Sequence, residues 1–395
     1  MKELSIRLRS LAIFRALLAD PVISALWDYL DSLETQDAAD SVSKYAAFVS
    51  SLYATEKRTL AGYIQSIVNN NENAYIRMIG RGATPWSEME ADVWEELEVL
   101  QAVADLTPER LRQNLDWNGY LPKFAVKHLE IAESYRERCG SIGKFGYGIY
   151  AKHHVFYLNP QAKIVPVRNP DQTRLSSLID YNREQQIILD NTRALLAGLP
   201  AANILLTGDA GTGKSSTVKA VVNELWQEGL RILEVRKEQL HEIPAILDEL
   251  NSNPLKFILF IDDLSFQRDD DNFAALKAIL EGSVSARSGN VVIYATSNRR
   301  HLVKESFSQR DGDDVHHNDT LQEILSLSER FGIQITFQKP NKATYLDIVH
   351  HLAAERGVEM EQGELDILAE RFALGRGGRS ARAATQFVDS LIAQK

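Results

Sequence analysis

The chain has 395 residues, more than one hydrophobic core usually serves, so two or three domains are expected. Its 44% hydrophobic and 25% charged content excludes large-scale disorder, and a net charge of −10 argues against a surface coated for nonspecific nucleic-acid binding. The single cysteine, Cys139, excludes an internal disulfide or a zinc–thiolate cluster and fits a reducing cytoplasm, the expected location.

Residues 1–144 read as helix after helix. The stretch LAIFRALLAD (11–20) is too short for a bilayer and is interrupted by Arg15, so a core-facing helix and no membrane role are expected. Helical spacing recurs from Leu11 to Leu30, with a break at Pro21, and again from Tyr45 to Val68; Asn69 to Asn73 makes a turn between segments. The run from Trp86 to Leu106 is acidic on its polar side, and Thr107-Pro108-Glu109 marks a helix start. Such a domain suits either a partner protein or a packed scaffold with a solvated acidic face.

Residues 145–178 change grammar. Aromatic and β-branched residues among glycines, then Asn159-Pro160, predict short strands, a turn and a linker. His153 and His154 are adjacent, so on a strand they point to opposite faces, which disfavours a metal site.

The organising stretch is NILLTGDAGTGKSS, Asn203 to Ser216. An apolar strand, Ile204 to Leu206, runs into a glycine loop and a helical segment, and Gly208, Gly213, Lys214 and Ser215 fill the fixed places of G-x-x-x-x-G-K-[ST]. A polyphosphate needs several backbone N–H groups converging on it, and glycine lets the main chain come that close. Gly208, Asp209, Ala210, Gly211, Thr212, Gly213, Lys214, Ser215 and Ser216 are therefore the expected nucleotide cradle, with Lys214 on the β and γ phosphates and Ser215 on Mg²⁺.

Further along, Leu230 to Val235 predicts a strand and Ile243 to Leu250 a short helix. FILFI, Phe257 to Ile261, is an unbroken apolar strand of the kind covered on both faces, and it ends in Asp262 and Asp263, where open α/β sheets place their ligands. Asp262 would hold Mg²⁺ through water and Asp263 would orient the attacking water. After a helix at Phe273 to Leu280, the strand Val291 to Ala295 ends at Thr296-Ser297-Asn298-Arg299; Asn298, with Ser297 second, is the expected γ-phosphate contact. His301 to Asp319 is polar and turn-rich, and its His316-His317 pair is better read as a solvated loop than as a metal site. Arg330 follows a helical run at Thr320 to Glu329 and precedes a strand at Ile333 to Phe337. An arginine there can neutralise charge on a nucleotide bound by a neighbouring subunit. Helices are predicted at Ala343 to Glu355, Gln362 to Phe372 and Ser380 to Ala393. Arg376, Arg379 and Arg382 crowd the start of the last, where the helix dipole disfavours cations, so phosphate contact is expected.

From about Ile179 onward, the order GDAGTGKS, FILFIDD, ATSNR, SERFG and GRSAR resembles the AAA+ ATPase superfamily. Within it, LSERFGIQITF with VHHND upstream resembles the bacterial predicted-ATPase group known as domain of unknown function 815. The resemblance implies a P-loop NTPase (AAA+) α/β core with a parallel five-stranded sheet at 179–339, a helical lid at 340–395, and ATP with Mg²⁺ as cofactors. It also implies Arg382 as the sensor arginine with Arg379 as runner-up, and a homo-oligomeric ring, a hexamer being one option. Two departures stand out. Asp262-Asp263 replaces the usual Asp-Glu, which points to slower turnover, and Arg236 to Leu240 lacks the aromatic and glycine of protein-threading pore loops. The expected function is ATP hydrolysis driving conformational change in a partner held by the N-terminal helical domain. The alternative is an ATP-controlled binding module or loader with little turnover; its DNA-associated form rests only on the Asp-Asp pair and Arg299-Arg300.

Overall fold

The computed structural model describes residues 1–34, 37–113, 115–264, 271–281, 289–298 and 329–393. The chain divides into two units, Met1–Lys152 and His153–Lys395. No helix among the described residues is long and apolar enough to cross a membrane.

The first unit is helical: α1 (Lys2–Arg9), α2 (Pro21–Ser32), α3 (Ala38–Tyr53), α4 (Leu60–Asn69), α5 (Ala74–Gly80), α6 (Ser87–Ala104), α7 (Pro108–Arg112), α8 (Ile131–Gly140), α9 (Ile142–Phe145) and α10 (Ile149–Lys152). Local chemistry sets the starts. Asp20 accepts from the N–H groups of Val22 and Ile23 with Pro21 at the first position of α2, while Asp37, Thr59, Asn73 and Thr107 cap α3, α4, α5 and α7. Leu26, Tyr29, Phe48, Ile64, Leu97, Leu100 and Tyr135 belong to one buried cluster. Residues 11–20 are not the expected helix: Arg15–Ala19 is a short 3-10 turn. Its approach is fixed by Glu96, a buried acid of the acidic α6, which accepts from the N–H groups of Ala12, Ile13 and Phe14 at 2.6, 3.0 and 2.9 Å. Burial also raises the Cys139 thiol to about 11, which keeps it protonated and unreactive.

In the second unit, β1 (Val155–Leu158), β2 (Ile164–Pro166), β3 (Ile204–Gly208), β4 (Leu230–Glu234), β5 (Lys256–Ile261), β6 (Val291–Ser297) and β7 (Ile333–Phe337) form one sheet in the order β2-β1-β4-β5-β6-β3-β7. All neighbouring pairs are parallel except β1–β2. Helices α11 (Asn182–Leu196), α12 (Lys214–Leu225), α13 (Ile243–Asn251) and α14 (Asp271–Glu281) accompany it. The central strands β3, β5 and β6 are buried almost without interruption, as expected with both faces covered, whereas the edge strand β7 alternates.

The five strands of residues 179–339, β3 to β7, are parallel as expected, but the sheet as a whole has seven strands and is not wholly parallel. The added pair comes from the 145–178 segment. Phe156 and Leu158 are buried and Tyr157 is exposed, the Asn159 side chain accepts from the N–H groups of Gln161 and Lys163 to close the turn, and β1 continues the sheet beyond β4. The strand reading also overreached upstream: Gly146 and Gly148, at φ 64° and 62°, separate short helices rather than strands, and these lie in the first unit.

Three further helices, α15 (Lys342–Glu355), α16 (Gln362–Gly375) and α17 (Ala381–Ala393), pack around Tyr345, Val349, Ala369, Ala384 and Val388. The Tyr345 hydroxyl donates to the Ala369 carbonyl at 3.0 Å, satisfying the one polar atom of that side chain in a buried setting.

Candidate nucleotide site

β3 ends at the glycine loop, and α12 begins at Lys214 immediately after Gly213. Two glycines are required here for different reasons. A Cβ on Gly208 would lie 2.1 Å from the carbonyl oxygen of Phe337 in β7, so only glycine lets the two strand ends run side by side. Gly211 has φ 79°, and a Cβ there would lie 3.1 Å from Cβ of Arg382 at the start of α17. The loop is thus in contact with the three-helix subdomain.

A cleft of about 740 Å³ opens between the loop, the strand ends and that subdomain, and it is lined in part by Gly211, Gly213, Lys214, Ser215, Asp262, Asp263, Asn298 and Arg382. Strand order explains the convergence. β6 lies between β3 and β5, so the residues following all three reach one edge of the sheet. Lys214 is 5% exposed and donates to the carbonyls of Gly208 and Asp209 at 2.7 and 2.8 Å and to Asn298 Oδ1 at 3.1 Å. Burial lowers its pKa, opposed by Asp262, Asp209 and Asp263. Ser215 Oγ donates to Asp262 Oδ1 at 2.6 Å, which joins the start of α12 to the end of β5. Asn298 also donates through Nδ2 to Asp263 Oδ1 at 2.6 Å, so one amide touches both the lysine and the second acid. Asp209 lies 3.9 Å from Lys339 across the loop.

The expected residues fall into distinct groups. Lys214, Ser215, Ser216, Asp262, Asp263, Asn298 and Arg382 line the cleft, as do Ala210, Gly211 and Gly213 of the cradle; Gly208, Asp209 and Thr212 form its remaining turn, with Thr212 Oγ1 donating to the Asp209 carbonyl. Ser297 is fully buried in β6 and is not among the lining residues. Of the two candidate sensor arginines, Arg379 is held by both oxygens of Glu370 at 2.8 and 2.6 Å, away from the cleft. Arg330 precedes β7 and is not among the residues lining the cleft of its own chain. Arg299, Arg300, His316 and His317 lie outside the described residues. His154 stacks on Trp226 with ring centroids 5.0 Å apart, and no metal-binding group of three or more His, Cys, Asp or Glu occurs among the described residues.

Sequence reasoning missed several contributors. Thr173, Ser177 and Leu178 from the linker before α11, and Leu352, Glu355 and Arg356 from α15 and its end, also line the cleft, as do Thr296 beside the acids and Ala381, Thr385 and Gln386 beside Arg382. Only Thr296 and the neighbours of Arg382 had a local signal, their closeness in sequence to an expected residue. The others come from segments distant in sequence that the fold brings together.

The residues present fit a magnesium nucleotide. Hard oxygen donors from Ser215 and Asp262 sit together at a helix N-terminus, and Mg²⁺ is ordinarily held by one or two protein oxygens with phosphates and waters supplying the rest, so a three-residue protein cage is not required.

Comparison with known proteins gives a family and several distant likenesses. Over 132 residues the chain is 31% identical to the cytidylate kinase of Ignicoccus hospitalis, covering 32% of this chain and 73% of that protein. Among solved structures, the Thermotoga maritima RuvB Holliday junction branch migration motor is similar at 18% identity with a TM-score of 0.37, over 55% of this chain and 63% of that one. C. elegans PCH-2 is similar at 16% identity with a TM-score of 0.39, over 56% of this chain and 70% of that one. The family described as "Protein of unknown function (DUF815)" matches residues 151–395, and the chain belongs to it.

Proposed function

We propose that the protein binds ATP with Mg²⁺ in this cleft and hydrolyses it to drive a conformational change in a partner. The observation that carries the reading is the meeting of Ser215 with Asp262 at 2.6 Å beside the buried Lys214. Mg²⁺ would be held by Ser215 and Asp262 and, when bound, would neutralise charge on the phosphates. Lys214 would exchange its loop carbonyls for phosphate oxygens. Asp263 would accept a hydrogen bond from the attacking water, Asn298 would hold that water near the γ-phosphate, and Arg382 would contact the same phosphate from α17. Arg330, outside its own cleft, would serve the nucleotide of an adjacent subunit in a ring. The helical unit Met1–Lys152 would hold the protein partner, and dependence on ATP, with one unreactive thiol, favours the cytoplasm.

The test is titration of Mg-ATP into the wild type and Lys214→Ala, alongside hydrolysis rate per chain against protein concentration. Loss of a buried charged contact should weaken binding by about 100-fold or more; unchanged affinity in the variant would defeat the assignment. A rate per chain that is independent of concentration down to monomer would remove the shared-site reading of Arg330.

A second reading, an ATP-gated binding module with little turnover, is favoured by one contact: Asp263 is already engaged by Asn298 at 2.6 Å. It requires partner affinity to respond to ATP even in Asp263→Asn.

A further inference from the structure

We propose that Thr296 is a positioning residue of the cleft, whose hydroxyl fixes both acids of β5 relative to each other. The proposal rests on the Mg-ATP reading above. The register of β5 and β6 pairs Ile261 with Ala295, so Thr296 stands beside the first residue past the strand, Asp262. Its side chain is 2% exposed. Thr296 Oγ1 donates to Asp262 Oδ1 at 2.6 Å and accepts from the Asp263 N–H at 2.9 Å, and its carbonyl accepts from the Leu264 N–H at 2.7 Å. One residue therefore binds three successive residues of the turn.

That turn needs holding. Asp263 has φ 55°, in the left-handed region, where a residue with a side chain is strained by about 1–2 kcal/mol. No glycine is present to relieve it. A hydroxyl has one proton to give and lone pairs to receive, and here the proton goes to the metal-binding acid while a lone pair takes the amide of the water-orienting acid. Ser215 and Thr296 both donate to Oδ1 of Asp262, the acid that would hold the metal, so two hydroxyls fix the orientation of that carboxylate. The β-branch also restricts χ1, so the hydroxyl has fewer directions open to it than that of serine. Removing the hydroxyl leaves the Asp263 amide without its acceptor and lets the strained turn relax, moving one acid relative to the other.

The experiment compares wild type, Thr296→Val, Thr296→Ala and Thr296→Ser for ATP binding, kcat, KM and the Mg²⁺ concentration giving half-maximal rate, with circular dichroism and melting as checks on folding. Supporting groups of a metal site are worth about 10–100-fold in activity or metal affinity. Thr296→Val should lose kcat by about that factor and need more Mg²⁺, with KM for ATP changed less than about twofold. Thr296→Ser should recover most of the loss. Should Thr296→Val fail to fold, Thr296→Ala, which removes the hydroxyl without adding an apolar methyl in its place, must show the same split. Wild-type kcat and Mg²⁺ dependence in a folded hydroxyl-free variant would overturn the proposal, as would Thr296→Ser impaired as deeply as Thr296→Val, which would mark a packing effect. Failure of the wild type itself to bind ATP would instead reject the reading of the cleft, and this inference with it.

Discussion

The helical unit Met1–Lys152 and the α/β unit His153–Lys395 both bury polar groups, but they do so to different ends. In the first, Glu96 is consumed by three backbone N–H groups, the Tyr29 hydroxyl by the Leu111 carbonyl, and the Asn73 side chain by the start of α5. Each is an internal closure. In the second, Lys214, Thr296, Asn298 and the acids after β5 bond to one another at a sheet edge that opens into a large cleft. Closure there is exposed to the cleft, because Lys214, Asn298 and both acids line it. Buried polarity leaves room for a ligand only where the partners are themselves side chains or loop carbonyls facing a cavity.

The comparison can be broken by substitutions of decreasing effect. Gly208→Ala should be the most severe: a methyl 2.1 Å from the Phe337 carbonyl, at φ 139°, forces β3 and β7 apart, and a loss above about 4 kcal/mol is expected. Thermal unfolding followed separately in the two units should show the α/β transition lost and the helical one retained. Asp263→Asn should leave folding and ATP affinity close to wild type while lowering kcat by about 100-fold or more, read by single-turnover hydrolysis. Glu96→Ala should do the reverse. Three N–H groups lose their acceptor, so the helical unit should be destabilised by about 2–4 kcal/mol in denaturant titration, with ATP binding unaffected.

His128 gives the smallest effect. Hydrogen bonds to Glu130 and Asp105 raise its pKa, so its contribution to stability is fully present below the ordinary histidine range and is lost as pH rises through the raised value. His128→Gln should flatten that part of the melting-temperature profile between acidic and alkaline pH, by a small amount because the group is solvent-exposed.

Much of the site was legible because its chemistry demands fixed spacing. A phosphate loop needs glycine at set intervals before a lysine, and an unbroken apolar run such as that ending in Asp262 and Asp263 is what a strand covered on both faces of a parallel sheet requires. What stayed hidden depends on partners far away in the chain. Glu96 sits in an acidic run and reads as a solvated residue, since nothing local reveals that residues 12–14 fold back onto it. The β1–β2 hairpin looks like a separate piece until β1 is seen beside β4, some 75 residues later in the chain. Thr296 reads as an ordinary β-branched strand residue, and its role emerges only from the register of β6 against β5. Gly208 was legible as a loop glycine, but the close approach of Phe337 that makes it irreplaceable was not.

The contact at Gly211 has a mechanical consequence. The glycine loop and the first turn of α17 touch closely, a Cβ on Gly211 lying 3.1 Å from Cβ of Arg382, and the Arg382 N–H approaches the Gly211 carbonyl at 3.4 Å. A tilt of the three-helix bundle therefore presses on the loop or pulls away from it, and a ligand that stiffens the loop limits that tilt in return. Any ligand filling the cleft would therefore press on a loop and a bundle that already bear on one another.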